Sequence, residues 1–314
     1  MQGKSGQIFI DEYYRTQDMV TKQTLKDFIE ANPKLVRMQR STRYPDLYVI
    51  KYKKKVFYDN LWNVVLEECR GLVVDADFNI VSRPFTKIYN YGVEARAPKF
   101  EPDEMVEAYR KVNGFMAALT WHNNDILVST TGSLDSDYVD YVYDMIVDNL
   151  PLYKETLSSL PDFTFMFECV HSSDPHIIPE QAGMYYLGYR LKSWNSFVIP
   201  SNNTHQFNSL PVEDYYVSLE ELQHMAKECK HEGFVFYHED GRAAKIKSPY
   251  YLVNKFLARN PRTDKLMRPD IKKSFDEEYY PLLEVIQYNI EDYTRMTEQE
   301  RLAWIRDFME NKYA

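Results

Sequence analysis

Cysteine and glycine are scarce in this chain of 314 residues. The three cysteines, Cys69, Cys169 and Cys229, lie far apart and form no CxxC, which argues against a zinc site and a disulfide framework. Ten glycines and 15 prolines are too few for linker-like segments, and no repeat or low-complexity tract is present. No apolar run approaches the roughly 20 residues that span a bilayer, so no membrane partner is expected. The opening MQGKSGQIFIDEYY lacks the apolar core of a secretory signal. A cytoplasmic protein is therefore expected, in which the Asn202-Asn203-Thr204 sequon is idle. Surplus positive charge is missing too. With 38 basic and 47 acidic residues the net charge is -9, which excludes coating nucleic acid through bulk charge but leaves room for a locally basic cleft. HExxH, P-loop, dinucleotide-binding glycine and GxSxG patterns are all absent.

What is present is enough apolar material for a core, 44% hydrophobic and 15% aromatic residues. Residues 20–31 read as a short helix, and 46–58 as strand material around a basic turn. Residues 72–75 with 80–82, and 115–121 with 125–130, read as hairpins. Residues 138–150 have helical spacing, with Pro151 ending the helix. Further strands are expected at 163–169, 184–189, 233–237 and 243–246, and Ser218 with Glu221 signals a helix start. Beyond about 254 strand signals stop, while 282–288 and 297–309 have helical period. The expected organisation is an antiparallel α+β domain over 1–254 and a small all-helical domain over 255–314.

Several residues could carry chemistry. Lys111-Val112-Asn113-Gly114 precedes a strong strand. A lysine at such an edge is usually solvated; the alternative is a nucleophile, which must lose its proton before it attacks. In Lys245-Ile246-Lys247 strand alternation puts both ammonium groups on one face, where they either protect an edge or clamp a phosphate. Glu168 lies in FTFMFECV and Glu232 precedes GFVFY. A carboxylate among such segments is costly to bury unless it is paired or bound to a metal. Arg70, Arg83 and Lys87 flank the first hairpin, as surface ion pairs or as a cationic rim for phosphate.

In this order, ECRGLVVD, SRPFTKIYNYG, KVNG, the FMFE segment, EGFVFY and KIKSPYY resemble the covalent nucleotidyltransferase superfamily of ATP-dependent ligases and mRNA capping enzymes. Within it they look most like the phage-type single-strand RNA ligases that repair cleaved tRNA, over roughly residues 40–254. The resemblance implies an ATP-grasp-like ligase adenylation domain. It implies Lys111 as the nucleophile that becomes a lysyl-AMP, with Lys245 and Lys247 stabilising charge on the α-phosphate. It implies Glu232 at a catalytic Mg2+ (or Mn2+), Glu168 at the ribose or the metal shell, and Arg70 and Lys87 on the pyrophosphate. Tyr89 and Tyr251 would contact nucleotide, with Asn113 and Gly114 completing the motif. The implied partners are ATP and single-stranded RNA or cleaved tRNA with 5′-phosphate and 3′-hydroxyl ends, handled by a monomer in the cytoplasm, the host's if the gene is a phage's.

One departure stands out. The usual motif is K-x-D-G, and the third residue here is Asn113, native or introduced. Its amide keeps the shape of an acid without the charge. This motivates an alternative, a ligase-like protein that binds RNA ends or nucleotide without sealing. A capping-type guanylyltransferase is a further alternative, although 60 helical residues leave no room for its usual oligonucleotide-binding domain. A second departure is Thr130-Thr131-Gly132-Ser133-Leu134, where relatives often carry a basic residue; phosphate binding is then weaker or supplied elsewhere.

Overall fold

A computed structural model of the chain describes residues 20–174, 176–258, 263–275 and 277–312. The N-terminal stretch read above for a signal core lies outside them. Among these residues fourteen strands follow in chain order. The first seven are β1 (Val36–Arg40), β2 (Leu47–Tyr52), β3 (Arg70–Asp75), β4 (Ile80–Ser82), β5 (Tyr89–Asn90), β6 (Met105–Arg110) and β7 (Phe115–His122). The rest are β8 (Asp125–Thr130), β9 (Phe163–Val170), β10 (Gly183–Leu191), β11 (Val198–Pro200), β12 (Asp214–Ser218), β13 (Gly233–Tyr237) and β14 (Ala243–Lys247). No helix among the described residues is long and apolar enough to cross a membrane.

The chain divides into two compact units. The first holds the described residues of Met1–Lys87, Gly114–Pro175 and Glu180–Glu213. It contains an antiparallel sheet in the order β1-β2-β3-β4 and another in the order β11-β10-β9-β7-β8. The expected hairpins are both present. β3 and β4 are joined by a turn in which Asp75 accepts from the N–H groups of Asp77 and Asn79. β7 and β8 pair His122 with Asp125 across Asn123 and Asn124, whose φ angles of 50° and 60° suit the two-residue turns that match strand twist. Alternation along β9 sends Phe165, Phe167 and Cys169 into a core with Val139, Val142 and Ile146 of helix Asp137–Ile146. Leu47, Val49, Val73 and Val81 of the first sheet gather with Leu127 and Leu134.

The second unit holds the described residues of Ile88–Asn113, His176–Pro179 and Asp214–Ala314. Its sheet runs β12-β6-β13-β14-β5, antiparallel except for the short parallel pair β14–β5. Helix Leu219–Glu228 starts where Ser218 Oγ accepts from the Glu221 N–H, and buries Leu219 and Leu222 with Phe234, Phe236 and Ile246. A helical cluster is built on Tyr251, Leu252 and Phe256 with Tyr279, Leu282, Leu283 and Ile286. Thr297 and Glu300 form a reciprocal cap of the last helix. Residue 254 falls inside helix Pro249–Ala258.

Two local expectations are corrected. After β2 the chain turns into helix Lys54–Tyr58, because a single turn buries Val56 while leaving Lys53, Lys54 and Lys55 in solvent. Pro151 does not end a helix; it sits in the first turn of Leu150–Ser159, where its missing N–H has no partner to lose. Strands β1, β5, β6, β11 and β12 carried no alternation strong enough to expect.

Gly233 fixes the sheet of the second unit. Its φ is +127°, and a Cβ there would collide with the Ile246 carbonyl and lie 2.8 Å from Lys247 Cα. Gly233→Ala is therefore expected to cost about 2–3 kcal/mol of stability, read as a lower denaturation midpoint.

Candidate active site

Three strand ends meet at Gly233. Just past β6, the Lys111 N–H donates to the Gly233 carbonyl at 2.8 Å. On the other side of β13, Lys247 lies directly opposite Gly233. The neighbouring Glu232 is only 4% exposed, and its surroundings explain how a carboxylate is tolerated there. Its Oε2 lies 3.1 Å from Lys111 Nζ and accepts from Asn113 Nδ2 at 2.7 Å. Asn113 Oδ1 in turn accepts from the Ile178 N–H at 3.1 Å, so both ends of the amide are used. Burial pushes the Glu232 carboxyl up. The Lys111 and Lys247 charges, with hydrogen bonds from Asn113 and Lys111, outweigh that and hold it below the usual glutamate range.

Lys247 has a second carboxylate, Glu278, with which it forms an ion pair. Burial works against its charge, but Glu278 and Glu232 outweigh burial and hold the ammonium above the usual lysine range. Lys247 Nζ also stands 5.7 Å from the centre of the Tyr251 ring. Burial first, and then Glu232, push the Tyr251 hydroxyl up to about 12. Lys245 shares the strand face of Lys247, with Ala244 and Ile246 buried on the other. Tyr89 is buried in β5, opposite Ala244. The second unit thus brings together Lys111, Asn113, Glu232, Lys247 and Tyr251.

The other candidates lie in the first unit. Gly114 packs so closely on β9 that a Cβ would collide with the Cys169 carbonyl, and its N–H donates to Glu168 Oε1 at 3.2 Å. Lys87 is buried, its ammonium 4.8 Å from the Trp62 ring centre and 5.5 Å from that of Phe57. Arg70 stands at the start of β3, opposite Lys51 of β2. Arg83 departs from both readings, a surface ion pair and a cationic rim. It is 1% exposed, and with Arg190 it encloses Glu68, at 2.7 and 3.0 Å from Glu68 Oε1. A buried carboxylate must be paired, and this one takes both arginines.

Sequence reasoning missed Glu278, which lies in an acidic run, DEEYY, with no spacing that distinguishes it from solvated acids. It also missed the backbone N–H of Ile178. Among the described residues no group of three or more His, Cys, Asp and Glu is gathered for a metal. A single ionised carboxylate such as Glu232 still fits a hard cation that takes most of its ligands from phosphate and water.

A family model described as RNA ligase matches residues 68–251. No curated protein matches the sequence. Among solved structures, form 2 of an archaeal ATP-dependent RNA ligase is similar with a TM-score of 0.56 at 13% identity, covering 97% of this chain and 78% of that one. Form 1 has a TM-score of 0.56 at 12% identity, covering 94% and 79%. A protein from Aquifex aeolicus, provisionally described as an ATP-dependent DNA ligase, has a TM-score of 0.53 at 14% identity and covers 93% and 78%. At these identities the likeness concerns the fold, and it agrees with the expected antiparallel α+β class.

The Asn113 amide is complementary to Glu232, and an aspartate there would set two carboxylates against each other. Asn113→Asp is expected to lose about 2 kcal/mol at about pH 8. One carboxyl of the new pair would have its folded-state pKa raised, so the deficit is full above that pKa and shrinks as the pH falls through it. Melting temperatures at about pH 8 and pH 5 check this; a deficit that grows on acidification would contradict it.

Proposed function

The chain belongs to the RNA ligase family, and from that premise we propose that it is an ATP-dependent ligase joining RNA 5′-phosphate and 3′-hydroxyl ends through a lysyl-AMP on Lys111. The observation that carries this reading is Lys111 paired with Glu232 at 3.1 Å, beside the strand end that carries Lys247. In the first step deprotonated Lys111 Nζ forms a bond to the α-phosphorus, and the bond from that phosphorus to the bridging oxygen breaks, releasing pyrophosphate. The adenylyl group then passes to an RNA 5′-phosphate, and a 3′-hydroxyl displaces AMP to form the phosphodiester.

Each residue has a part in this chemistry, which proceeds by positioning and charge neutralisation. Glu232 orients the Lys111 amine and would hold a divalent cation, Mg2+ or Mn2+, which supplies charge neutralisation at phosphate oxygens. Lys245 and Lys247 stabilise the α-phosphate, and Glu278 keeps Lys247 charged and in place. Glu168 serves the ribose or the outer metal shell, Arg70 and Lys87 the outgoing pyrophosphate, and Tyr89 and Tyr251 the nucleotide. Catalysis is assigned to the chain up to 254, and recognition of single-stranded RNA or a cleaved tRNA to the helices beyond. The protein would act as a monomer in the cytoplasm, in RNA repair.

A second reading, an RNA-end or nucleotide binder without sealing activity, rests on the amide at Asn113. One experiment separates the two. The protein, first freed of pre-bound AMP with pyrophosphate, is incubated with α-labelled ATP or GTP and Mg2+ without RNA, then denatured. An acid-labile label from ATP is expected, absent in Lys111→Ala and formed about 10²–10³-fold more slowly in Lys247→Ala. A 5′-phosphorylated oligoribonucleotide should then yield circles. Label from GTP alone would indicate a capping-type enzyme, and no label from either would favour the binder.

A further inference from the structure

Three cations stand in a row across the first unit's four-stranded sheet. Arg37 of β1 lies opposite Lys51 of β2, and Lys51 lies opposite Arg70 of β3. Like charges directly opposite one another destabilise a sheet, yet this row is built with some care. Regular pairing would set Lys51 against Gly71. Instead the register shifts between Ile50 and Lys51, so Gly71 is the extra residue of a bulge and Arg70 is turned to face Lys51. Gly71 has φ +91°, and a Cβ there would lie 2.9 Å from the Thr130 oxygen and from Thr131 Cα.

The turn after β8 closes the row. A Cβ on Gly132 would lie 3.0 Å from Lys51 Nζ, so the lysine runs against bare backbone. Arg37 Nη2 donates to the Gly132 carbonyl at 3.3 Å. Among the described residues no carboxylate pairs with Arg37, Lys51 or Arg70. The acids beyond the turn are engaged elsewhere: Asp135 with Ser41, Thr42 and Arg43, and Asp140 with Arg43. Burial, and then the two arginines, hold the Lys51 ammonium below the usual lysine range. A compact triad of cations without a counter-charge, one of them half-buried, is suited to a multiply charged anion.

We propose that Arg37, Lys51 and Arg70 form a binding site for a phosphate oxyanion, with Lys51 at its centre. The triad stands on this geometry alone. Its biological ligand rests on the ligase reading: either the polyphosphate end of ATP, released as pyrophosphate, or the 5′-phosphate of RNA. Lys51 then provides the cation that residues 130–134 lack.

Isothermal titration of the full chain tests this without catalysis, using inorganic pyrophosphate and a short oligoribonucleotide with and without a 5′-phosphate. Lys51→Met should weaken binding of one phosphate probe by at least about tenfold. Loss of pyrophosphate affinity assigns the site to the nucleotide tail, and loss of the preference for a 5′-phosphate assigns it to RNA. Without ligand, Lys51→Met should melt no lower than the wild type, because a repulsion has been removed. The exposed Arg37→Gln is a second variant expected to weaken the same probe. Unchanged affinity for both probes in both variants, or a wild-type protein that binds neither, would overturn the proposal. Labelling of Lys111 by ATP, measured separately, shows whether the ligase reading stands or falls on its own.

Discussion

A carboxylate that is almost fully buried must be answered by charge or hydrogen bonds, and Glu232 is answered by Lys111, Asn113 and the field of Lys247. That requirement ties three separate stretches of chain together. Removing either lysine would leave the carboxylate short of charge, and removing Glu232 would take one carboxylate from the surroundings of both Lys111 and Lys247. The same constraint places the amine proposed as nucleophile and the cation proposed for the α-phosphate on either side of Gly233, at the end of one sheet. Glu278 extends the chain of charges into the helical cluster, so the helices of the second unit contribute directly to the electrostatics of the site.

Glycine backbone geometry sets the positions of these groups before any side chain acts. Gly233 permits the close approach that puts Lys111 and Lys247 on either side of β13. Gly114 lets its N–H reach Glu168 on β9. Gly71 supplies the bulge that turns Arg70 toward Lys51. With only ten glycines in the chain, three of them are used where charged residues must be aimed.

Much of this was legible in the sequence, for physical reasons. Alternation in KIK, the polar turn between residues 115–121 and 125–130, and the apolar flanks of Glu168 are local signals, and local signals survive folding. Lys111, Asn113, Glu232 and Lys247 were each named from short motifs, although their meeting depends on β6, a strand with little alternation to announce it. What stayed hidden depends on partners distant in sequence. Arg83 looked like a surface or rim cation because Glu68 and Arg190 form its burial site only after folding. Glu278 looked like any acid in an acidic run. Lys51 was one lysine among several in a stretch that read as strand material around a basic turn, since neither the bulge at Gly71 nor the place of Gly132 can be read from spacing.

One buried carboxylate is kept ionised by two lysines, and the rest of the site follows from that. Carboxyl-carbon NMR titration of Glu232 tests it most directly, in the wild-type protein and in Lys111→Ala and Lys247→Ala. The midpoint is predicted to lie below the ordinary glutamate value in the wild type and to rise in each variant. A midpoint at or above the ordinary value, or one that neither substitution moves, would contradict the account.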